Sequence, residues 1–137
     1  MALILNIAPG TIGTHSIIVG DEHTAPRVGS GKIQVLATPV MINLFEAAAL
    51  AACEHLLPEG HQSLGTHLDV SHVAATPVGM RATATAEVVS VEGRTIKFRL
   101  EARDERDVIG EGTHERVVVN VAKFDVRVQE KVALIKR

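Results

Sequence analysis

Aromatic side chains are almost absent from this sequence. Only Phe45, Phe98 and Phe124 are aromatic among 137 residues, and there is neither tryptophan nor tyrosine. The protein therefore lacks a platform on which nucleic-acid bases could stack, and its basic residues are not gathered into a stripe that could bind phosphates. With a net charge of −2 as well, we expect no nucleic-acid partner. The core has to be built from Val, Ile, Leu and Ala.

Cysteine is scarcer still, and long hydrophobic runs are missing. A single Cys53 excludes an intrachain disulfide and a cysteine-rich metal site, and it suits the reducing cytoplasm in which we expect the protein. The N-terminus has no basic region before a long apolar run, so we expect no signal peptide. The apolar stretch over residues 39–53 contains Asn43 and Glu46 and is too short to span a bilayer, so we expect no membrane association.

The rest of the sequence has the composition and the pattern of one folded domain. A hydrophobic fraction of 46% with 22% charged residues is ordinary for a globular chain, and we find no repeat or linker, so we expect a single domain over residues 1–137. The predicted elements are a strand at 14–19, a loop at 20–32, a helix at 39–55, and strands at 64–72, 82–88, 96–103 and 108–121. The tail at 123–137 is either a short helix or an irregular strand, and the helix is favoured.

The predicted helix is apolar on almost every side, which indicates burial on most sides. Thr38 suits the N-cap and Pro39 the first helical position, while Gly93 is expected to need a positive φ in a hairpin turn. The order of elements predicts an α+β fold, in which an antiparallel sheet of five or six strands curls around one helix. We expect the open edges of this sheet to pair in a homodimer.

Glu46 is the most informative polar residue because it lies in the middle of the apolar helix. A charge there is costly unless it is paired or lines a cavity. One interpretation is that the side chain reaches solvent at the edge of the helix. The other is that it faces a cleft and acts as a base or a nucleophile. The absence of polar neighbours within the helix favours the second interpretation.

His72 ends a strand whose even-numbered positions are apolar. Those positions are Leu64, Leu68 and Val70. They are expected to face the helix, and alternation directs His72 the same way. A single inward histidine is more often a hydrogen-bonded core residue than a catalyst. Because the helix also offers Glu46, we expect the two to form an acid–base pair.

Thr38 has a structural and a chemical interpretation. As an N-cap it would stabilise the helix by about 1 kcal/mol. Its hydroxyl could instead stand at the mouth of a site, beside the partial positive charge of the helix N-terminus. On a straight helix Thr38 and Glu46 are about 12 Å apart. A shared site therefore needs a bent first turn, an intervening substrate or a contribution from a second subunit.

Three further residues are candidates for substrate binding. Gly65, with Thr66 beside it, lets a ligand approach the strand and offers an N–H group that could polarise a carbonyl, although a bulge is the alternative. Arg116 could grip a phosphate of a nucleotide tail, but pairing with an acid such as Glu115 is favoured. The histidines show no metal-type spacing, so we expect no metal site.

The sequence resembles the fluoroacetyl-CoA thioesterase-like family of hot-dog enzymes over residues 12–130. The spacing of eight residues from Thr38 to Glu46, and of 26 from Glu46 to His72, is similar to that of the family. The matching segments are Ala-Thr-Pro-Val-Met at 37–41, Leu-Phe-Glu-Ala at 44–47, Ser-Leu-Gly-Thr at 63–66, Ser-His-Val-Ala-Ala-Thr-Pro at 71–77, Ser-Val-Glu-Gly-Arg at 90–94 and Ile-Gly-Glu-Gly-Thr-His-Glu-Arg at 109–116.

The resemblance implies a hot-dog homodimer, or a tetramer of two dimers, that hydrolyses a small acyl-CoA thioester. The catalytic residues it implies are Thr38, Glu46 and His72. The residues it implies for substrate binding are Gly65 and Thr66 at the acyl thioester and Arg116 near coenzyme A. No cofactor is implied beyond the coenzyme A of the substrate itself. The resemblance leaves open which oxygen attacks the carbonyl.

One segment departs from the family. The fluoroacetyl-specific enzyme carries aromatic residues before its threonine, whereas residues 29–36 here contain none, so we do not carry over the fluorinated substrate. Three alternatives stay open: an acyl-CoA hydratase or dehydratase that uses Glu46 and His72 for proton transfer, a non-catalytic module that binds acyl-CoA, and a structural domain in which these two residues form a buried pair.

Overall fold

The computed structural model describes residues 3–136. The first two residues and Arg137, which the predicted domain and its tail helix include, lie outside the described residues. The elements are β1 (Ile12–Ile18), α1 (Ala25–Val28), α2 (Thr38–Cys53), β2 (His61–His72), β3 (Arg81–Glu92), β4 (Thr95–Arg103), β5 (Val108–Asn120) and α3 (Val121–Val132), with 3₁₀ turns at Asp21–His23 and Glu54–Leu56.

The five strands form one sheet in the order β1-β3-β4-β5-β2, and every neighbouring pair is antiparallel. The long helix α2 packs across the concave face of this sheet, mainly against β1 and β3. This arrangement confirms the predicted α+β fold, with a curled sheet around one buried helix. It also leaves β1 and β2 as the two edge strands.

Small side chains and glycine let the helix approach the sheet closely. The inward face of β3 carries Ala82, Ala84 and Ala86, all without exposed surface. On β1, a Cβ atom added to Gly13 would lie 2.2 Å from the carbonyl oxygen of Ala48, which belongs to the helix backbone. The core thus contains few aromatic side chains, and the backbone of α2 packs directly against the backbone of β1.

Gly13→Ala is therefore expected to lower the free energy of unfolding by about 3 kcal/mol or more, because the new methyl group overlaps the helix backbone, which cannot rotate away as a side chain could. Denaturant unfolding measures the change. Gly31→Ala is the matched control, since its Cβ would make an ordinary contact at 3.4 Å. Equal stability of the two variants would contradict the proposed close approach.

The start of α2 differs from the prediction. The helix begins at Thr38, its N-cap is Ala37, and no side chain caps it, so the capping role expected of Thr38 is wrong. The helix ends at Cys53 rather than at residue 55. The predicted loop at 20–32 also contains a 3₁₀ turn and the short α1, which Gly29 ends with φ of 82°.

Strand β2 contains a bulge that the sequence pattern did not predict. Its register against β5 shifts between Gly65 and His67. Odd-numbered residues therefore face the core before the bulge, and even-numbered residues face it after the bulge. Leu64 is consequently 39% exposed, and Ser63 takes the buried position. The predicted inward orientation of Leu64 is therefore wrong, whereas Leu68 and the residues that follow keep the predicted face.

Other predicted features agree with the structure. Gly93 has φ of 61° in the turn between β3 and β4. The tail helix is confirmed as α3, which starts at Val121, two residues earlier than predicted. Within the part of the chain that the structure describes, no helix is both long and apolar enough to cross a bilayer.

Candidate active site

A hydrogen bond joins Thr38 and His72, which lie at the ends of two different elements. Thr38 is the first residue of α2 and His72 the last of β2, so the two elements bring residues 34 positions apart in sequence into contact. The Thr38 Oγ1 atom lies 2.7 Å from His72 Nδ1, a hydrogen-bond distance. Because the hydroxyl does not cap its helix, it is available for this bond.

The imidazole of His72 is suited to accept a proton from that hydroxyl. Burial lowers the pKa of His72 below its ordinary value of 6.5, and a weaker contact with the Ala74 backbone acts in the opposite direction. A neutral imidazole that accepts the Thr38 hydrogen at Nδ1 carries its own proton on Nε2. That Nε2 atom is buried, and none of the described residues gives it a hydrogen-bond partner.

A cavity of about 370 Å³ opens beside this pair. Thr38 and His72 lie on its wall together with residues 73–75 and several residues of the segment 30–36. No aromatic side chain is among the described residues that line it. The segment 30–36 therefore lines the same cavity as the Thr38–His72 pair, where a bound ligand would contact it.

Glu46 lies in a second group, farther along the same helix. Its Oε2 atom accepts a hydrogen bond of 3.3 Å from Arg116 Nη1, and its side chain is 38% exposed. A Cβ atom added to Gly65 would lie 2.7 Å from the same oxygen. Glu46 is thus neither buried among aliphatic groups nor free in solvent. The Glu46 carboxylate lies against the β2 backbone at Gly65 and accepts a hydrogen bond from the Arg116 guanidinium.

Arg116 is held on several sides. It is 4% exposed and donates to Glu46 Oε2, to His114 Nε2 at 3.1 Å, to Ser63 Oγ at 2.8 Å and to the Ser63 carbonyl at 3.2 Å. Pairing with an acid, the interpretation that the sequence favoured, is present, although the acid is Glu46 rather than Glu115. The role of Arg116 near coenzyme A stays a prediction.

The structure therefore brings the predicted residues together in two groups. Among residues 3–136 it records no hydrogen bond between Glu46 and His72, so the expectation that they pair directly is wrong within one chain. Gly65 joins the Glu46 group. Thr66 lies in the bulge, where its hydroxyl donates to the carbonyl of Glu115 at 3.2 Å.

His114 and Ser63 are polar residues of this region that the sequence analysis passed over. His114 is fully buried and stacks on Phe98 with 5.8 Å between ring centroids. The alternation in β5 contained a usable signal, because His114 and Arg116 share the inward face with Val118. Ser63 gave no signal, since its inward position depends on the bulge that follows it.

The single thiol, Cys53, is buried and protonated at neutral pH. Burial, and then the neighbouring Glu54 carboxylate, raise the pKa of Cys53 to about 11, so the thiol stays protonated. Within residues 3–136, no cluster of three or more His, Cys, Asp or Glu side chains is arranged to hold a metal ion.

Solved structures that share this fold include thioesterases. A structure of the fluoroacetyl-CoA thioesterase superimposes with a TM-score of 0.87 at 39% identity, over 92% of this chain and 98% of that one. A thioesterase superfamily member from Thermus thermophilus gives 0.87 at 28%, over 96% and 100%. A hot-dog-like protein from Thermanaerovibrio acidaminovorans gives 0.85 at 26%, over 96% of each chain. The fold and the site thus define a hot-dog thioesterase.

The sequence comparisons narrow this class to one family. The sequence model of the fluoroacetyl-CoA-specific thioesterases matches residues 19–122. The fluoroacetyl-CoA thioesterase of Streptantibioticus cattleyicolor is 47% identical over 98 residues, which cover 72% of this chain and 70% of that protein. The chain belongs to the fluoroacetyl-CoA-specific thioesterase family. The predicted resemblance, the hot-dog fold and the enzyme class, a thioester hydrolase, are confirmed.

Proposed function

We propose that this protein is a homodimeric enzyme that hydrolyses the thioester of a small acyl-CoA to the free acid and coenzyme A. The observation that carries the proposal is the 2.7 Å hydrogen bond between Thr38 Oγ1 and a half-buried His72. A hydroxyl next to a neutral imidazole is the arrangement that activates a nucleophile for acyl transfer. The similarity to a fluoroacetyl-CoA thioesterase supplies the thioester as the substrate class.

In the proposed reaction, the Thr38 oxygen attacks the thioester carbonyl while His72 Nδ1 takes the hydroxyl proton. The carbon–sulfur bond then breaks, and the imidazolium returns the proton to the departing coenzyme A thiolate. Water, deprotonated by the Glu46 carboxylate, attacks the acyl-threonine carbonyl; the bond to the Thr38 oxygen breaks, and the proton held by Glu46 returns to that oxygen, which releases the free acid and restores both residues. The first step uses two groups in hydrogen-bond contact, Thr38 and His72, whereas the hydrolysis step needs a Glu46 carboxylate brought to that pair from a second subunit. Mass spectrometry of the trapped adduct tests the choice of nucleophile, because attack by Glu46 would instead leave the acyl group on that residue.

A second subunit accounts for the separation of Glu46 from the Thr38–His72 pair. β2 is an edge strand and carries both His72 and Gly65, on which Glu46 rests. If two copies of β2 pair antiparallel about an axis between Leu68 and Asp69, His72 of one chain lies opposite Gly65 of the other, since 72 and 65 are equally far from that axis. The Glu46 carboxylate of one subunit would then face the Thr38–His72 pair of its partner.

The acyl group is expected to be small but not restricted to a fluorinated one. The family relative is named for fluoroacetyl-CoA. Here the cavity wall over Thr38 is built from residues 30–36 without an aromatic side chain, and Ile33 within it is 75% exposed. A wall without aromatic side chains leaves space around a two-carbon acyl group, so it does not select that group over slightly longer ones. We therefore place the substrate among short acyl-CoA thioesters, with coenzyme A as part of the substrate and no further cofactor.

The experiment that tests the function is a panel of acyl-CoA esters, from acetyl to phenylacetyl and including fluoroacetyl, with thiol release followed by a colorimetric reagent. Wild-type protein should release thiol from at least one short ester, and Thr38→Ala should lose most of that rate. A hydratase that uses only Glu46 and His72 would tolerate Thr38→Ala and would release no thiol. Absence of thiol release from every ester in the panel would overturn the proposal.

Gly65→Ala is expected to lower kcat by about 10- to 100-fold, because its Cβ would displace the Glu46 carboxylate. The nearest atom is the end of a flexible side chain, but the buried His114 ring, 3.1 Å from the new Cβ atom, must also shift, so the free energy of unfolding should fall by about 1 to 2 kcal/mol. Steady-state kinetics and denaturant unfolding measure the two quantities. A loss of stability with kcat of the folded protein unchanged would contradict a specific effect on Glu46.

A further inference from the structure

A chain of polar contacts leads from Glu46 on α2 to Glu54, the first residue of the 3₁₀ turn that follows the helix. Arg116 donates to Glu46 and, through Nε, to the hydroxyl of Ser63. The Ser63 hydroxyl in turn donates to Glu54 Oε1 at 2.6 Å, and the Ser63 amide donates to Glu54 Oε2 at 3.0 Å. One guanidinium thus lies between two carboxylates, with a serine hydroxyl as the link to the second.

His114 closes the chain of contacts on the other side of Arg116, and its tautomer follows from its partners. His114 Nδ1 lies 2.8 Å from the carbonyl oxygen of His67, which can only accept, so Nδ1 carries the hydrogen. Burial lowers the pKa of His114, and the Arg116 charge acts in the same direction, so the ring is neutral at pH 7. Its Nε2 is therefore free to accept the hydrogen bond from Arg116 Nη1.

These contacts restrict what Arg116 can do. Its guanidinium makes four hydrogen bonds to the protein and is 4% exposed, so it has little capacity to reach a phosphate in solvent. Removing a partner would leave a buried donor unsatisfied, which holds the guanidinium in this one position. The side chain that gains from a fixed guanidinium is the half-exposed Glu46, which has no other protein donor among its described contacts.

We propose that Ser63, His114 and Glu54 are positioning residues that hold the Arg116 guanidinium and, through it, fix the Glu46 carboxylate over Gly65. The inference rests on the proposed function, since it assigns these residues to the orientation of a reacting group. It assigns to Arg116 a role in positioning Glu46 rather than in gripping coenzyme A. None of the three positioning residues needs to touch the substrate.

The test compares Ser63→Ala and Glu54→Gln with the wild type on two substrates, an acyl-CoA and the matching N-acetylcysteamine thioester, which lacks the nucleotide. Both variants should lower kcat by about 10- to 100-fold on both substrates, with KM little changed. Thr113→Ala, an exposed change on the neighbouring strand, should leave kcat unaltered. A rise in KM confined to the acyl-CoA substrate would overturn the proposal in favour of coenzyme A binding.

A double variant separates positioning from a general structural role. If Ser63 acts only through the carboxylate, Glu46→Gln with Ser63→Ala should be no slower than Glu46→Gln alone, because residues that act as a unit are not additive. Additive losses in the double variant would overturn the proposal. Glu54→Gln keeps the size of the side chain, so it provides the comparison if Ser63→Ala folds poorly.

A measurement without turnover distinguishes failure of this inference from failure of the proposed function. The imidazole ¹⁵N shifts of His114 should report a neutral ring with its hydrogen on Nδ1 at pH 7, and Arg116→Lys should shift the Nε2 resonance. A protonated ring or the opposite tautomer would overturn the network even in an active enzyme. Wild-type protein that is silent on every thioester, yet gives the expected shifts, would instead refute the proposed function.

Discussion

Glu46→Gln is expected to lower kcat for acyl-CoA hydrolysis by about 10²- to 10⁴-fold, the range found when a general base is removed, because the acyl-threonine would still form but would be hydrolysed slowly. The amide keeps the size of the carboxylate and can still accept a hydrogen bond from Arg116, but it cannot take a proton from water. Glu46 is 38% exposed, but the buried Arg116 loses its counter-charge, so the free energy of unfolding should fall by about 1 to 3 kcal/mol.

The kinetics of Glu46→Gln also discriminate among the alternative functions. A non-catalytic module would bind acyl-CoA equally well with either residue and would release no thiol. A purely structural ion pair would instead leave the rate of the folded variant unchanged, so that the substitution would affect stability alone. Glu59→Gln, an exposed carboxylate near the start of β2, is the matched control and should match the wild type in both rate and stability.

His72→Ala is expected to reduce kcat by about 10²- to 10⁴-fold, because it removes the group that accepts the Thr38 hydroxyl proton. Thr38→Ala combined with His72→Ala should be little slower than either single variant, since the two residues act on one proton. Stopped-flow or steady-state thiol release measures these rates. His55→Ala, an exposed histidine on the 3₁₀ turn after α2, should retain full activity.

The same histidine predicts the direction of the pH dependence. His72 must be neutral to accept the proton, and burial lowers its pKa below 6.5 in the folded protein. As pH falls, activity should therefore persist through 6.5 and decline only at the lower pKa. A pH–rate profile of kcat/KM gives the midpoint. A midpoint above 6.5 would contradict a neutral, desolvated imidazole as the base.

The fold could be predicted from the sequence because its signals are local. The apolar helix and the alternating strands gave the element order, and Gly93 marked a hairpin. The bulge in β2 could not be predicted, because Gly65 is compatible with a regular strand and only its pairing with β5 shows the shift. Missing the bulge put Leu64 on the wrong face and hid Ser63.

The site was harder to predict because its contacts join residues far apart in the sequence. Thr38 and His72 both line a cavity, but their direct bond depends on where α2 and β2 end, which the sequence pattern does not define to the residue. The imidazole beside Glu46 is not His72 but His114, reached through Arg116. Alternation along β5 places His114 and Arg116 on an otherwise apolar face. The spacing of residues in the sequence does not predict that Glu46 is the carboxylate that pairs with Arg116.

A mixed dimer tests the composite site most directly. Thr38→Ala and Glu46→Gln chains carrying different affinity tags would be co-expressed, and the heterodimer isolated through both tags. If each site combines Thr38 and His72 of one subunit with Glu46 of the other, one of the two sites in this heterodimer keeps all three residues. Its rate should then be about half that of the wild type, although both parent homodimers are nearly inactive. A heterodimer as inactive as its parents would contradict the composite site.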